Sequence, residues 1–281
     1  MTIGIGVKAT KRPAALAAVA GAAAGWLAYE AAWREPRRLV VRPEALHLPG
    51  WPAARDGYTV ALVSDLHAGA GHMTPARVDA VVDAVIAARP DLVLLLGDYL
   101  DSTWLGRGRA GPEDVAGRLA RLPNRVAVLG NHDWRAAGAA MWRALEAAGI
   151  PVLENAAREV AAGLWVAGTA EFRYRTPDVG AALAGVPEDA AVLLMIHDPD
   201  LFPWVPPRVA LSVAGHLHGG QVNLPLIRRA MLPTRYGERY LAGHVVEGGR
   251  HLYVSAGLGT SGLPVRLRRP PEVPLLRLWR G

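Results

Sequence analysis

Three short apolar runs, each stopping at a polar cluster, constrain this chain more than anything else in it: TVALVSD at 59–65, DLVLLLGD at 91–98 and RVAVLGNHD at 125–133. Between them lie segments with helical spacing, RVDAVVDAVIAAR closed by Pro90 and a second stretch near 113–122. Runs this short and this apolar, alternating with helices, predict strands of an α/β sheet buried on both faces. After a helix expected at about 135–148 the chain turns β-rich, with EVAAGLWVAG, AVLLMIHD, RVALSVAGH, HLYVSAG and, near the end, VPLLRLW.

The polar residues sit where the runs stop. Asp65 and His67 follow ALVS, Asp98 follows LVLLLG, Asn131 and His132 follow VAVLG, His197 follows VLLMI and His216 follows LSVAG. A single Asp or His at a strand end is ordinarily a turn residue or a cap. Five in one register are not scatter, because ligand sites of open α/β sheets gather beyond the carboxyl ends of the strands. The stretch GHLHGGQ at 215–221 adds two histidines one residue apart, hemmed by glycines that let backbone approach an ion or a phosphate.

At 281 residues the chain suits a large catalytic domain, here 57–281, preceded by a linker and opening strand at 34–56. The absence of cysteine excludes disulfides, thiolate metal sites and a Cys nucleophile. The net charge of +6 comes from an arginine habit, the only lysines being Lys8 and Lys11, so no specific nucleic-acid binding is expected. A basic surface still suits an anionic substrate or membrane face. Residues 1–33 are expected to be a membrane anchor. PAALAAVAGAAAGWLAY runs uncharged between Arg12 and Glu30, with Lys8, Lys11 and Arg12 before it and Trp26, Tyr29 and Trp33 at its exit. Arg34, Arg37 and Arg38 nearly cancel the charge asymmetry, and the reading leans towards a domain outside the cytoplasm.

The series D-L-H at 65–67, G-D-Y-L-D at 97–101, G-N-H-D at 130–133, His197 and G-H-L-H at 215–218 resembles the calcineurin-like metallophosphoesterase superfamily, over nearly everything from Tyr58 on. GHLHGGQ, SAGLGTSGLPVRL and the apolar N-terminus look most like its membrane-associated bacterial phosphodiesterases. The resemblance implies a four-layer α/β/β/α sandwich with an N-terminal hydrophobic helix, in a membrane-associated bacterial protein. It also implies two divalent metal ions, Mn2+ or a mixed Fe/Zn pair. Asp65, His67 and His218 would hold one ion, Asn131, His197 and His216 the other, and Asp98 would bridge them. His132 would be the general acid or stabilise the transition state, oriented by Asp101, while Asp133 is read as structural. The chemistry agrees, since paired ions ionise a water near neutral pH and grip phosphoryl oxygens.

Arg173, Arg175 and His72 are candidate substrate contacts, and Arg266, Arg268 and Arg269 could face anionic headgroups or solvent. His47, His244 and His251 are read as structural. Protein phosphatases of the superfamily carry Arg-Gly after the second aspartate, where this chain has Ser102 and Thr103 after Asp101. The expected substrate is therefore a phosphodiester or diphosphate, with a lipid-linked one among the candidates, and no protein partner is evident. The rival readings are a UDP-2,3-diacylglucosamine pyrophosphohydrolase of lipid A assembly and a membrane-tethered metal-binding protein without catalysis.

Overall fold

The computed structural model describes residues 12–106 and 108–281; Lys8 and Lys11 lie outside them. Helix α1 (Arg12–Tyr29) continues through a π turn (Glu30–Arg34) and a 3-10 turn (Glu35–Arg37). Residues 15–29 are all exposed, and the span Ala15–Arg37 has the length and composition to cross a membrane. The body of the chain then runs β1 (Val40–Leu48), β2 (Tyr58–Val63), α2 (Pro75–Ala88), β3 (Leu92–Leu95), α3 (Pro112–Leu119), β4 (Arg125–Ala127) and α4 (Asn131–Ala147). It continues with β5 (Ala156–Ala161), β6 (Leu164–Gly168), α5 (Val179–Leu183), β7 (Ala191–Met195), β8 (Leu211–Ala214), α6 (Pro225–Met231), β9 (Gly243–Glu247), β10 (Arg250–Val254) and β11 (Glu272–Arg280).

The strands form two sheets rather than one, ordered β1-β11-β2-β3-β4 and β5-β6-β7-β8-β10-β9. Period two divides each buried strand between two cores. Val60, Leu62, Leu92 and Leu94 face the gap between the sheets, where they meet Leu193, Met195 and Val213 of the second sheet. Ala61, Val63, Val93 and Leu95 face outward onto α2, α3 and α4, and Val192, Leu194 and Ala214 face outward onto α5 and the 3-10 turn at Pro199–Trp204. Both faces of a strand are apolar because each has a core to fill, and the layers read α/β/β/α.

The helices obey local rules. In α2, Thr74 accepts from Arg77 N, Pro75 opens the first turn, and Val78, Val81, Val82 and Val85 face the core. Arg89 closes it in the left-handed region at φ 50°, just before Pro90. Helix α4 starts at Asn131, four residues before the expected 135, so Asn131 and His132 belong to a first helical turn entered from Gly130. Residues 34–56 include β1, a nine-residue edge strand paired in parallel with β11.

Candidate metal centre

The carboxyl ends of β2, β3 and β4 in one sheet and of β7 and β8 in the other open onto the same place, and the turns that leave them are tight. Of the seven candidate ligands, Asp65, His67, Asp98, His216 and His218 have positive φ, between 48° and 71°. Each such residue costs about 1–3 kcal/mol and persists only where its surroundings enforce it. Here they do. Buried Asp133 accepts from the backbone N–H of Asp98 (2.8 Å), Leu100 (3.0 Å) and Gly130 (3.0 Å), clamping the turn after β3 to the start of α4. Burial, then the charge of Asp98, raises its carboxyl to about 7. The Asp65 carboxylate accepts from Ser64 Oγ (2.5 Å) and His216 N (3.1 Å), tying the turn after β2 to that after β8. Only glycine fits between these groups. A Cβ at Gly215 would lie 1.9 Å from Ser64 Oγ, and one at Gly130 would lie 2.2 Å from Asp98 Oδ1.

All seven candidate ligands are buried, none more than 7% exposed, and they fall into two clusters that share Asp98. In the first, His67 Nε2 lies 3.1 Å from His218 Nε2, which is 3.6 Å from Asp65 Oδ1. In the second, His197 Nε2 lies 3.2 Å from Asn131 Oδ1, and the His197 and His216 rings are 5.1 Å apart. Asp98 Oδ2 sits between them, 3.6 Å from His67 Nε2 and 3.4 Å from His197 Nε2.

These residues fit a pair of cations. Burial pushes the His67 and His216 imidazoles down to about 3 and His218 well below its usual value, so all three are neutral donors of a lone pair. Two neutral imidazole nitrogens 3.1 Å apart can share only one proton, and His67 Nδ1 is buried without a partner. Lone pairs and carboxylates converging on one point make a cation site. His197 differs. Its Nδ1 is 2.7 Å from the Leu96 carbonyl, which fixes the tautomer and aims Nε2 at the cluster. Burial, the largest single influence, pulls its pKa down, but the charge and hydrogen bond of Asp98 with the charge of Asp65 and the Leu96 carbonyl together outweigh it and raise it to about 10; a cation entering would take the place of that proton. Asp98, although burial opposes it, is held well below the usual carboxylate range by His197 and then His132.

Above the clusters lies a cavity of about 200 Å3, walled by Asp98, Asn131, His132, Arg173, His218 and Ser261 among others. His132 enters it. Its backbone N donates to Asp98 Oδ1 (2.7 Å), and its ring is held between Ser102 Oγ at Nδ1 (2.8 Å) and Ser261 Oγ at Nε2 (3.3 Å). Asp101, expected to orient this ring, is 4.0 Å from Nδ1, and its carboxylate is engaged by Thr103 N and Thr103 Oγ1. Ser102 makes the direct contact.

The other candidates separate. Arg173 Nη2 reaches to 3.4 Å from His216 Nε2, inside the cavity. Arg175 turns away, paired with Glu154 at 2.6 Å and stacked over Trp134. His72 is outside the cavity wall, its Nε2 2.9 Å from the Pro264 carbonyl. His244 and His251 face each other at 3.0 Å on β9 and β10, outside both clusters and the cavity wall, and His47 lies on edge strand β1. Arg266, read as a surface residue, is fully buried and donates to the carbonyls of Gly259 (2.8 Å), Ala256 (2.9 Å) and Arg269 (3.1 Å). Two further residues went unread in the sequence. Ser102 carries no signal beyond adjacency to Asp101, whereas Asp198, 3.7 Å from His216 Nε2, directly follows His197 and could have been noticed.

The profile of the calcineurin-like phosphoesterase family matches residues 58–220. Among similar proteins, an uncharacterized metallophosphoesterase of Bacillus subtilis, YkuE, is 27% identical over 270 residues, covering 94% of this chain and 93% of that protein. The phosphodiesterase YaeI of Escherichia coli is 31% identical over 241 residues, covering 79% and 82%. A Danio rerio transmembrane protein with a metallophosphoesterase domain is 28% identical over 240 residues, covering 79% of this chain and 53% of that protein.

Proposed function

We propose that this chain, which belongs to the calcineurin-like phosphoesterase family, is a phosphodiesterase dependent on two divalent metal ions, with Mn2+ or an Fe/Zn pair as the fitting metals. The observation that carries the reading is the place of Asp98, one carboxylate oxygen standing between two imidazole clusters. Asp65, His67 and His218 would hold one ion and Asn131, His197 and His216 the other, with Asp98 between them. Bound there, the ions would supply a water ionised near neutral pH and positive charge for the phosphoryl oxygens.

The chain's own residues do the rest. Arg173 offers a guanidinium to a non-bridging oxygen at the cavity wall. Water oxygen adds to phosphorus in line with the leaving oxygen, the P–O bond breaks, and the leaving oxygen takes a proton from His132, whose ring Ser102 and Ser261 hold in the cavity. The products are a phosphomonoester and an alcohol. A diester is favoured over a monoester because Ser102 and Thr103 replace the Arg-Gly of the superfamily's protein phosphatases, and the name of the E. coli relative agrees. Residues 1–33 would anchor residues 57–281 to a bacterial membrane from outside the cytoplasm; the exposed apolar span Ala15–Arg37 and the transmembrane relative support the anchor.

The test is turnover of bis-p-nitrophenyl phosphate against p-nitrophenyl phosphate by the full-length protein in detergent micelles, with metal content measured on the same sample. Preference for the diester and two ions per chain are expected. Preference for the monoester, or turnover undiminished after the metal is stripped, would overturn the reading.

A further inference from the structure

The foot of the apolar helix is fastened to the loop that walls one side of the cavity. Just beyond α1 the Ala31 carbonyl accepts a hydrogen bond from Arg266 N (2.9 Å). Four residues on, the carboxylate of Glu35, 7% exposed, accepts from the backbone N–H groups of Arg268 (2.7 Å) and Arg269. The loop held in this way, 259–269, contributes Ser261 to the cavity beside His132, and its buried Arg266 reaches to 3.4 Å from His218 Nδ1. Helix foot, loop and metal centre form one continuous chain of contacts.

Outside α1, the two most exposed large apolar side chains among the described residues are Trp104 (88%) and Leu263 (59%). Each stands two residues beyond one of the serines that hold His132, Trp104 after Ser102 and Leu263 after Ser261. Neither lines the cavity itself, so each is held near it only through the serine two residues before it. Leu263 is three residues from Arg266, so at most about 10 Å of extended chain separates it from the helix foot. That foot carries the marks of a bilayer interface: exposed Trp26, Tyr29 and Trp33, an Arg37 guanidinium stacked 3.5 Å over Trp33, and Arg34 and Arg38 beside it. Single exposed apolar side chains are ordinary on a protein surface. What sets this pair apart is its place, each two residues from a serine that holds His132 and one of them on the loop fastened to the helix foot, where such side chains are at home among headgroups.

Resting on the phosphodiesterase reading, we infer that the rim formed by Trp104 and Leu263 dips into the headgroup zone of the bilayer that holds α1, and that the substrate is an amphiphile of that same bilayer. Its phosphodiester headgroup enters the cavity while its acyl part stays in lipid. Water adds across the P–O bond, one product keeps the lipid tail, and the other leaves into water. Confinement to one surface raises the encounter rate through effective concentration.

The chain has no cysteine, so Trp104→Cys and Leu263→Cys can each carry a single environment-sensitive fluorophore. In full-length protein reconstituted into vesicles of phosphatidylcholine and phosphatidylglycerol, both labels should shift to the blue and be quenched by brominated acyl chains, while a label at Val246→Cys, exposed on β9, should stay in water. Labels at 104 and 263 that remain in water, or shift only as protein concentration rises without lipid, would overturn the inference. The double variant Trp104→Ser/Leu263→Ser should lose roughly tenfold of its activity on a lipid-borne p-nitrophenyl phosphodiester in those vesicles and none on soluble bis-p-nitrophenyl phosphate. Equal activity of the variant and the native protein on the lipid diester would sink it too. Failure of the native protein on the soluble diester would instead sink the phosphodiesterase reading, which the fluorophores do not depend on.

Discussion

The two sheets bring different chemistry to the site. The sheet containing β2, β3 and β4 delivers Asp65, His67, Asp98 and Asn131, which include both carboxylates and the amide, whereas the sheet containing β7 and β8 delivers only imidazoles, His197, His216 and His218. Neither sheet completes a cluster. The first needs His218 from across the gap, and the second needs Asp98 and Asn131. A cation bound in either cluster therefore joins the two halves of the molecule, and the apolar residues packed between the sheets set the distance across which it does so.

Breaking the seam at its middle should cost the most. Asp98→Asn leaves an amide that cannot offset the repulsion between two dications, and kcat/KM should fall by at least about 10⁴-fold with loss of one ion or both. Kinetics with metal analysis decide it; two ions and native turnover in that variant would move the seam elsewhere. His132→Ala, by contrast, leaves both clusters intact. It should keep both ions and lose roughly 10²- to 10⁴-fold, the loss growing as the leaving group becomes more basic. A loss uniform over a leaving-group series would assign His132 to stabilising phosphoryl oxygens instead.

Stripping metal from the native protein tests whether the ions hold the sheets together. If binding at about 100 times Kd adds about 2.7 kcal/mol, the thermal midpoint should drop by roughly 5–10 °C, read by calorimetry with and without chelator. An unmoved midpoint would mean the inter-sheet core suffices. Within the second half, Arg173→Ala should cost about tenfold in kcat/KM and Arg175→Ala less than about twofold, since only the first reaches the cavity. Ser102→Ala should cost less than Arg173→Ala, about fivefold with metal content unchanged, because it removes one hydrogen bond to His132. A larger loss from Asp101→Asn than from Ser102→Ala would return the orienting role to the carboxylate.

The strands that feed the site were legible because each is largely apolar and each leads into a residue with lone pairs. Their division between two sheets was not, for the same reason. When both faces of a strand are apolar, as in LVLL at 92–95, period two is silent about which core each face fills. The pairing of β1 with β11, more than two hundred residues away, leaves no local trace either. Helix α4 begins earlier than expected because Asn131 and His132 look like the end of an apolar run, and only Gly130 hints that the chain has already turned. Arg266 misled by type, since arginine is almost never fully buried without partners; its burial depends on three carbonyls, two in the loop it organises and that of Ala256 just before it. Ser102 and Asp101 are neighbours, and which of them meets His132 is settled by side-chain packing that spacing does not encode.

Strand β1 follows the helix foot almost at once, and its partner in the ladder is β11, matched in parallel from Val40 opposite Glu272 to Leu48 opposite Arg280. A tug on α1 that outruns the bonds of Ala31 and Glu35 and acts along β1 would draw the strand past a neighbour running the same way. The ladder bonds then carry the load together, in shear, instead of opening one after another like a zip. A domain tethered by its amino end in the manner proposed thus meets drag and membrane tension through the direction in which its edge resists most, and the sheet that carries Asp65 and Asp98 keeps its shape while the anchor moves.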